Sequence, residues 1–390
     1  MLQDKAKKIV MSCYEKAAKK FSNNKRDIII IRLDRIGDFI IWLSAMERIR
    51  QLYSKRKITL FCLKCNVTLA EEIGFFDEII AVGEADLTLK ALLRNLNFLK
   101  CDLLLHPTYS RTTEADRLAA LIAANRKIAF EGDTSNCIPA EKAYYDRKYT
   151  NLVLSDQKVK MELVRNYDFV RYLYQDNSIP VRVTRLEEFA AKHKVEIGES
   201  YFVLNLGASM EVRRWPVERF QKVAEAIYAR TQWLCVLCGG LDESKLAEQF
   251  EKNYCGKTRN LVGKTTIPQV IGLIGGAELV VCNDTSTAHI ATACNIPAFC
   301  IVPGVNYPRF MPYIVDEVDS MRNLPEVFIS ERECFGCGYP DRVRKERCEE
   351  CKKCIADTGR FLCIDSVKEA NVIKVIEKYL ESAKNNKKEL

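Results

Sequence analysis

Asp38 closes the string Arg32-Leu33-Asp34-Arg35-Ile36-Gly37-Asp38, which lies between a run of isoleucines and an amphipathic stretch. At such a strand-to-helix junction the helix N-terminus favours the ionised carboxylate, the form a general base needs near neutral pH. The same position equally suits a carboxylate that only stabilises the start of its helix. Arg32, Asp34 and Arg35 share the loop, where they would either fix Asp38 or meet an acceptor.

A second set of residues suits an anion. Val280 to Asn283 reads as a buried strand, and Asp284-Thr285-Ser286-Thr287-Ala288-His289 can cap and open a helix. Free N–H groups and the positive dipole end at that junction form a ready site for a diphosphate. Asp284, Thr285, Ser286 and Thr287 supply short side chains for phosphate or ribose oxygens, with His289 one turn further in. Arg213 and Arg214 stand between another strand and helix, where a guanidinium can pair bidentately with a diphosphate. Glu243, after Gly239-Gly240, is placed either to accept from a ribose or to complement its own helix N-terminus. Only His106, His193 and His289 occur, and no Ser/His/Asp triad can be spaced around them.

Six thiols crowd the C-terminal region at Cys334, Cys337, Cys348, Cys351, Cys354 and Cys363. Paired C-x2-C steps fit tetrahedral zinc or iron, so Cys334, Cys337, Cys351 and Cys354 are the expected ligands of one structural ion. Free thiols or a local disulfide are the alternative.

These residues need scaffolds to hold them. The chain has 390 residues, enough for two domains each with its own core. Its 48% hydrophobic and 29% charged residues describe a folded globular protein, not a disordered one. No apolar run approaches the ~20 residues of a membrane span. With 17 cysteines and no apolar signal core, the expected compartment is the reducing cytosol. Residues 1–26 carry eight basic and two acidic side chains, a net of +6, with Leu2, Ala6, Ile9, Cys13 and Ala17 at helical spacing. That pattern suits either a helix on an anionic membrane at its inner face or one packed on its own domain. Nucleic acid is not expected, because no aromatic residues interleave with the basic ones.

Strands are expected at 27–31, 58–63, 78–82, 101–106 and 127–130, and again at 201–206, 233–237, 260–262, 278–283 and 297–302, with helices between them. This alternation predicts an α/β protein of two Rossmann-like halves with parallel sheets. The divisions are 1–180, 181–330, and a cysteine-rich segment with a C-terminal helix at 331–390.

The four motifs, taken in order, resemble glycosyltransferase family 9, the ADP-heptose:lipopolysaccharide heptosyltransferases and their relatives. They are Arg32 to Asp38; Asn205-Leu206-Gly207-Ala208-Ser209 with Arg213-Arg214-Trp215-Pro216; Gly239-Gly240-x-Asp242-Glu243; and Asn283-Asp284-Thr285-x-Thr287-x-His289. The resemblance covers about residues 27–375. It implies a GT-B fold, two Rossmann-like domains facing across a cleft, with the acceptor domain first. It also implies an inverting, metal-independent transfer of a sugar, heptose from ADP-heptose, to a lipopolysaccharide or other surface glycan, with Asp38 as base. Donor contacts would come from Ser209, Arg213, Glu243, Asp284, Thr285, Ser286, Thr287 and His289, and no cofactor would be needed for catalysis. The chain departs from the family in having Ser286 where glycine is usual, which puts a Cβ beside the phosphates. A nucleotide-sugar hydrolase or epimerase on the same fold, or a non-catalytic metal-stabilised scaffold, are the rival functions.

Overall fold

The computed structural model describes residues 2–21, 25–96, 99–154, 160–316, 322–330, 332, 335–337 and 348–386. The chain divides into two compact units. One comprises Met1–Lys158 with Val164–Val181, and the other Val159–Leu163 with Arg182–Leu390.

The first unit is built on β1 (Lys25–Arg32), β2 (Ile58–Leu63), β3 (Glu78–Val82), β4 (Lys100–His106), β5 (Ala123–Phe130) and β6 (Asn151–Val153). They form one parallel sheet in the order β3-β2-β1-β4-β5-β6. Ile28 to Ile31 are fully buried, as β-branched residues covered on both faces of a parallel sheet should be. Ile30 sits in register with Leu60 on one side and Leu105 on the other, so β1 is central.

The basic helix Leu2–Phe21 packs against helix Thr113–Leu121 and β5, with Met11 and Tyr14 joining that core. Packing on its own domain therefore accounts for one face. Ile9, 64% exposed, and Val10, 45% exposed, remain outside it. No helix of the described residues is long and apolar enough to cross a membrane.

The second unit repeats the plan with β7 (Tyr201–Asn205), β8 (Leu234–Leu237), β9 (Thr258–Asn260), β10 (Val280–Asn283), β11 (Ala298–Ile301) and β12 (Glu326–Phe328). The order β12-β11-β10-β7-β8-β9 is that of the first sheet with the count restarted. Both are the Rossmann order, whose switch points fall between β1 and β4 and between β7 and β10. Val372, Ile376 and Leu380 of helix Glu369–Asn386 are buried in this unit's core beside helix Val217–Thr231. Lys222–Glu369 at 2.6 Å and Arg230–Glu377 at 2.8 Å pin the same helix from outside.

The sequence reading differs from the structure at three strands. Asn151–Val153 and Glu326–Phe328 are strands it does not contain, and both are three-residue edges. Edge strands this short carry too little periodicity to read. The strand expected at 260–262 lies at Thr258–Asn260, because Val262 N–H is taken by the Asn260 side chain at 3.1 Å.

Candidate active site

Chemistry-bearing side chains collect at both switch points. In the first unit β1 ends at Arg32 and helix Ile36–Leu52 begins after three loop residues, with Asp38 in its first turn and half-buried. Arg35 is the helix N-cap and makes no side-chain cap hydrogen bond.

Arg32 is fully buried and paired with Asp34. Its Nε lies 2.5 Å from Asp34 Oδ2, its Nη1 donates to Pro107 O at 2.9 Å, and its Nη2 reaches Asp38 O at 3.4 Å. The guanidinium also lies over the Trp42 ring, 5.3 Å from the centroid. Asn66 Nδ2 donates to Asp34 O at 2.7 Å. The loop before Asp38 is thus clamped from three sides, and Arg35 alone of its charged residues is exposed.

Behind this loop lies a buried polar cluster that sequence reasoning missed. His106 Nδ1 is 2.8 Å from Tyr149 Oη, Tyr149 donates to Asp116 at 2.7 Å, and Arg111 Nε donates to Asp116 at 2.9 Å. Burial holds His106 below its ordinary pKa, so it is neutral, and burial pushes Tyr149 well up. The residues are scattered from 106 to 149, and their spacing carries no signal.

In the second unit, Asn283 at the end of β10 assembles the site. Its Oδ1 accepts from Trp215 N at 3.0 Å, and its Nδ2 donates to Leu206 O and Gly207 O, each at 3.0 Å. Both ends of the loop after β7 are therefore tied to the residue that precedes the opening of helix Ser286–Ala293. That helix has Thr285 as N-cap, with no side-chain cap bond and no acidic residue in its first turn. Its leading N–H groups and its dipole remain available to an anion.

Arg213 stands beside it on the turn Glu211–Arg213 and donates to Ser209 Oγ. Its Nε is buried and has no hydrogen-bond partner among the described residues. Burial lowers its pKa and the Asp284 charge opposes that shift. Asp284 is pushed up by burial, while Asn306 and Arg213 pull it back. Arg214 instead holds its own loop, donating through Nε to Ala208 O at 3.3 Å.

Glu243 reaches the same mouth. Asn205 Nδ2 donates to Cys238 O at 3.0 Å and to Glu243 Oε2 at 3.4 Å, and Thr285 Oγ1 donates to Asn205 Oδ1 at 3.4 Å. Burial first, then Asp242, pushes Glu243 up to about 7.

The structure thus brings Ser209, Arg213, Glu243, Asp284 and Thr285 together around the opening of the Ser286 helix. Thr287 is buried in the helix's first turn and Ser286 is half-buried. His289 is turned into the core, with Nδ1 at 2.9 Å from Tyr313 Oη, and burial drives it down to about 3. It is therefore neutral at physiological pH. Asn205, Asn283 and Asn306 are site residues without an assigned role in the sequence reading. The first two open quoted motifs and lie as amides at the C-terminal ends of sheet strands.

Of the expected metal ligands, Cys334 lies outside the described residues. Cys337 and Cys351 are half-buried, and the buried Cys354 has its Sγ 3.6 Å from Thr358 Oγ1. Among the described residues no group of three or more His, Cys, Asp or Glu could hold a metal ion. The described thiols therefore do not make up the tetrahedral set.

Comparison with known proteins bears on the family and the fold. The model of glycosyltransferase family 9 (heptosyltransferase) matches residues 115–323. Lipooligosaccharide heptosyltransferase 2 of Haemophilus influenzae is 27% identical over 124 residues, 31% of this chain and 35% of that protein. The match thus spans about a third of that relative's length. The structure of a family 9 glycosyl transferase from Veillonella parvula superposes with a TM-score of 0.66 at 18% identity, covering 93% of this chain and 99% of that one. E. coli ADP-heptose lps heptosyltransferase II gives a TM-score of 0.60 at 15% identity, covering 92% and 99%. These likenesses show the α/β, GT-B fold of two Rossmann-like units. With the family model matching more than half of its residues, the chain belongs to glycosyltransferase family 9.

Proposed function

We propose that this protein transfers a sugar, heptose from ADP-heptose, to a hydroxyl of a lipopolysaccharide or related surface glycan, with inversion at the anomeric carbon and without a metal at the reaction centre. The observation that carries it is the uncapped start of helix Ser286–Ala293 beside a guanidinium with an unpartnered Nε. Together they supply the positive charge that a departing nucleoside diphosphate requires. The choice of donor and acceptor follows from the relatives, one a lipooligosaccharide heptosyltransferase and another an ADP-heptose lps heptosyltransferase.

Asp38 takes the proton from the acceptor hydroxyl as its oxygen bonds to the anomeric carbon on the face opposite the leaving group. The bond from that carbon to the diphosphate breaks, and both electrons leave with the phosphate oxygen. Charge accumulating there is met by the helix N–H groups and Arg213, preset donors that need no rearrangement. Glu243 and Asn205 receive the ribose. The outward face of helix Leu2–Phe21, with Ile9 and Val10 beside Lys16 and Lys20, holds the enzyme against anionic lipid where a lipid-linked acceptor would lie.

A calorimetric panel of ADP, UDP and GDP followed by turnover of ADP-heptose, with and without glycolipid acceptor and chelator, tests this reading. Tight ADP binding with acceptor-dependent, chelator-insensitive turnover is the expected result. Turnover without acceptor would identify a hydrolase instead.

A further inference from the structure

The loop after β11 carries another residue of the diphosphate site. Asn306 Nδ2 donates to Asp284 Oδ2 at 2.7 Å. The backbone of Asn306 is held on both sides: its N–H donates to Pro303 O at 3.1 Å, and its carbonyl accepts from Arg309 N at 2.8 Å. Arg309 is anchored in turn to the buried Glu162, through Nε to Oε2 at 3.2 Å and through its carbonyl, which accepts from Glu162 N at 2.7 Å. The Asp284 N–H donates to Ile301 O at 3.0 Å. Asp284 is therefore fixed at its backbone by the sheet and at its carboxylate by a braced amide.

A carboxylate next to an anion site needs an explanation. Turned onto Arg213, it would form a bidentate pair and consume the guanidinium that a diphosphate needs. No hydrogen bond between Asp284 and Arg213 is made in the structure, although each senses the other's charge. With Oδ2 held by Asn306, Asp284 attracts Arg213 toward the site without closing on it.

We infer that Asn306 is a positioning residue of the donor site, holding the Asp284 carboxylate off the Arg213 guanidinium so that Arg213 stays available to a nucleoside diphosphate. The inference rests on the donor reading above and goes beyond it by naming what keeps the site open. Tyr313 and the Cys300 thiol also sense the Asp284 charge, so Arg213, Tyr313 and Cys300 are the titratable groups that face it.

The test is a cycle of Asn306→Ala and Asp284→Asn, read as ADP affinity by calorimetry on the full chain. Asn306→Ala alone should weaken ADP about 10-fold, the effect of a mispaired charged donor. In the Asp284→Asn background the same change should matter less than about 2-fold, because no carboxylate remains to be misplaced. That double variant also shows that the loop tolerates the substitution. The loss should fade as pH is lowered, since a neutral Asp284 has no hold on a guanidinium. Asn306→Asp, which keeps the shape and removes the donor, should act in the same direction as Asn306→Ala. Equal losses in both backgrounds, or no loss in the parent, would overturn the inference. A parent chain that binds none of ADP, UDP or GDP would overturn the donor reading as well.

Discussion

The carboxyl of Glu243 occupies the space that a side chain at Gly207 would need: a Cβ built on Gly207 collides with both of its oxygens. The same carboxyl blocks a Cβ at Gly239. Two glycines on separate loops thus make room for one acid at the donor mouth, and that acid is pushed up to about 7 by burial and then by Asp242.

A proton balance follows. The folded chain retains the Glu243 proton that the unfolded chain releases from about 4.5 upward. The stability it contributes is present below about 4.5 and is lost as pH rises through about 7. Nucleotide binding runs the other way, because a ribose hydroxyl donates best to the ionised carboxylate. ADP affinity should therefore rise between pH 6 and 8, by roughly the range of one charge-assisted hydrogen bond, about 1.5–3 kcal/mol at most. Calorimetry across that range, repeated on Glu243→Gln, checks it. A slope that survives the substitution belongs to another group.

Asp38→Asn should lower kcat by about 10²–10⁴ while ADP affinity stays near that of the parent. Arg32 holds the Asp38 backbone carbonyl, a contact that the substitution leaves in place. Steady-state rates with saturating donor and acceptor decide it. Turnover within a few-fold of the parent would remove Asp38 as the base.

Arg213→Ala should weaken ADP binding by about 1.5–3 kcal/mol and slow transfer as well, because the same charge serves product and transition state. Arg214→Ala is the comparison. Its Nε is spent on Ala208 O, so its effect should appear mainly in the melting temperature. If the two exchange these behaviours, the assignments exchange too.

Helix Leu2–Phe21 yields a prediction about lipid. Deletion would strip Met11 and Tyr14 from a core, so charge reversal is the better probe. Lys16→Glu with Lys20→Glu should reduce binding to vesicles of anionic lipid, at about 1 kcal/mol per basic residue near the surface. Co-sedimentation at low and physiological salt measures it. Undiminished binding of the doubly reversed protein would place the lipid contact elsewhere.

The sheets were legible because their central strands are buried on both faces. Ile58–Leu63 lies where a continuous apolar run predicts it. Thr266 caps its helix, reciprocally with Gln269. The site was legible only in outline. Asp38, Arg213 and the Asp284–Thr287 run announce themselves by lying at strand-to-helix junctions. The contacts that set their geometry join distant positions, such as Asn283 to Trp215 and Asn306 to Asp284, and no local pattern encodes them. His289 belongs to the same run, and its contact with Tyr313 is likewise set by the tertiary fold.

Asn283 has a consequence beyond assembly. One buried amide, touching no ligand atom in the proposed chemistry, carries three backbone hydrogen bonds from the two ends of one loop. The entropy of ordering that loop is spent during folding, not when the donor arrives. Donor association should then resemble insertion into a rigid mould, and its affinity should depend on the contacts made and little on any rearrangement of the receiving loop.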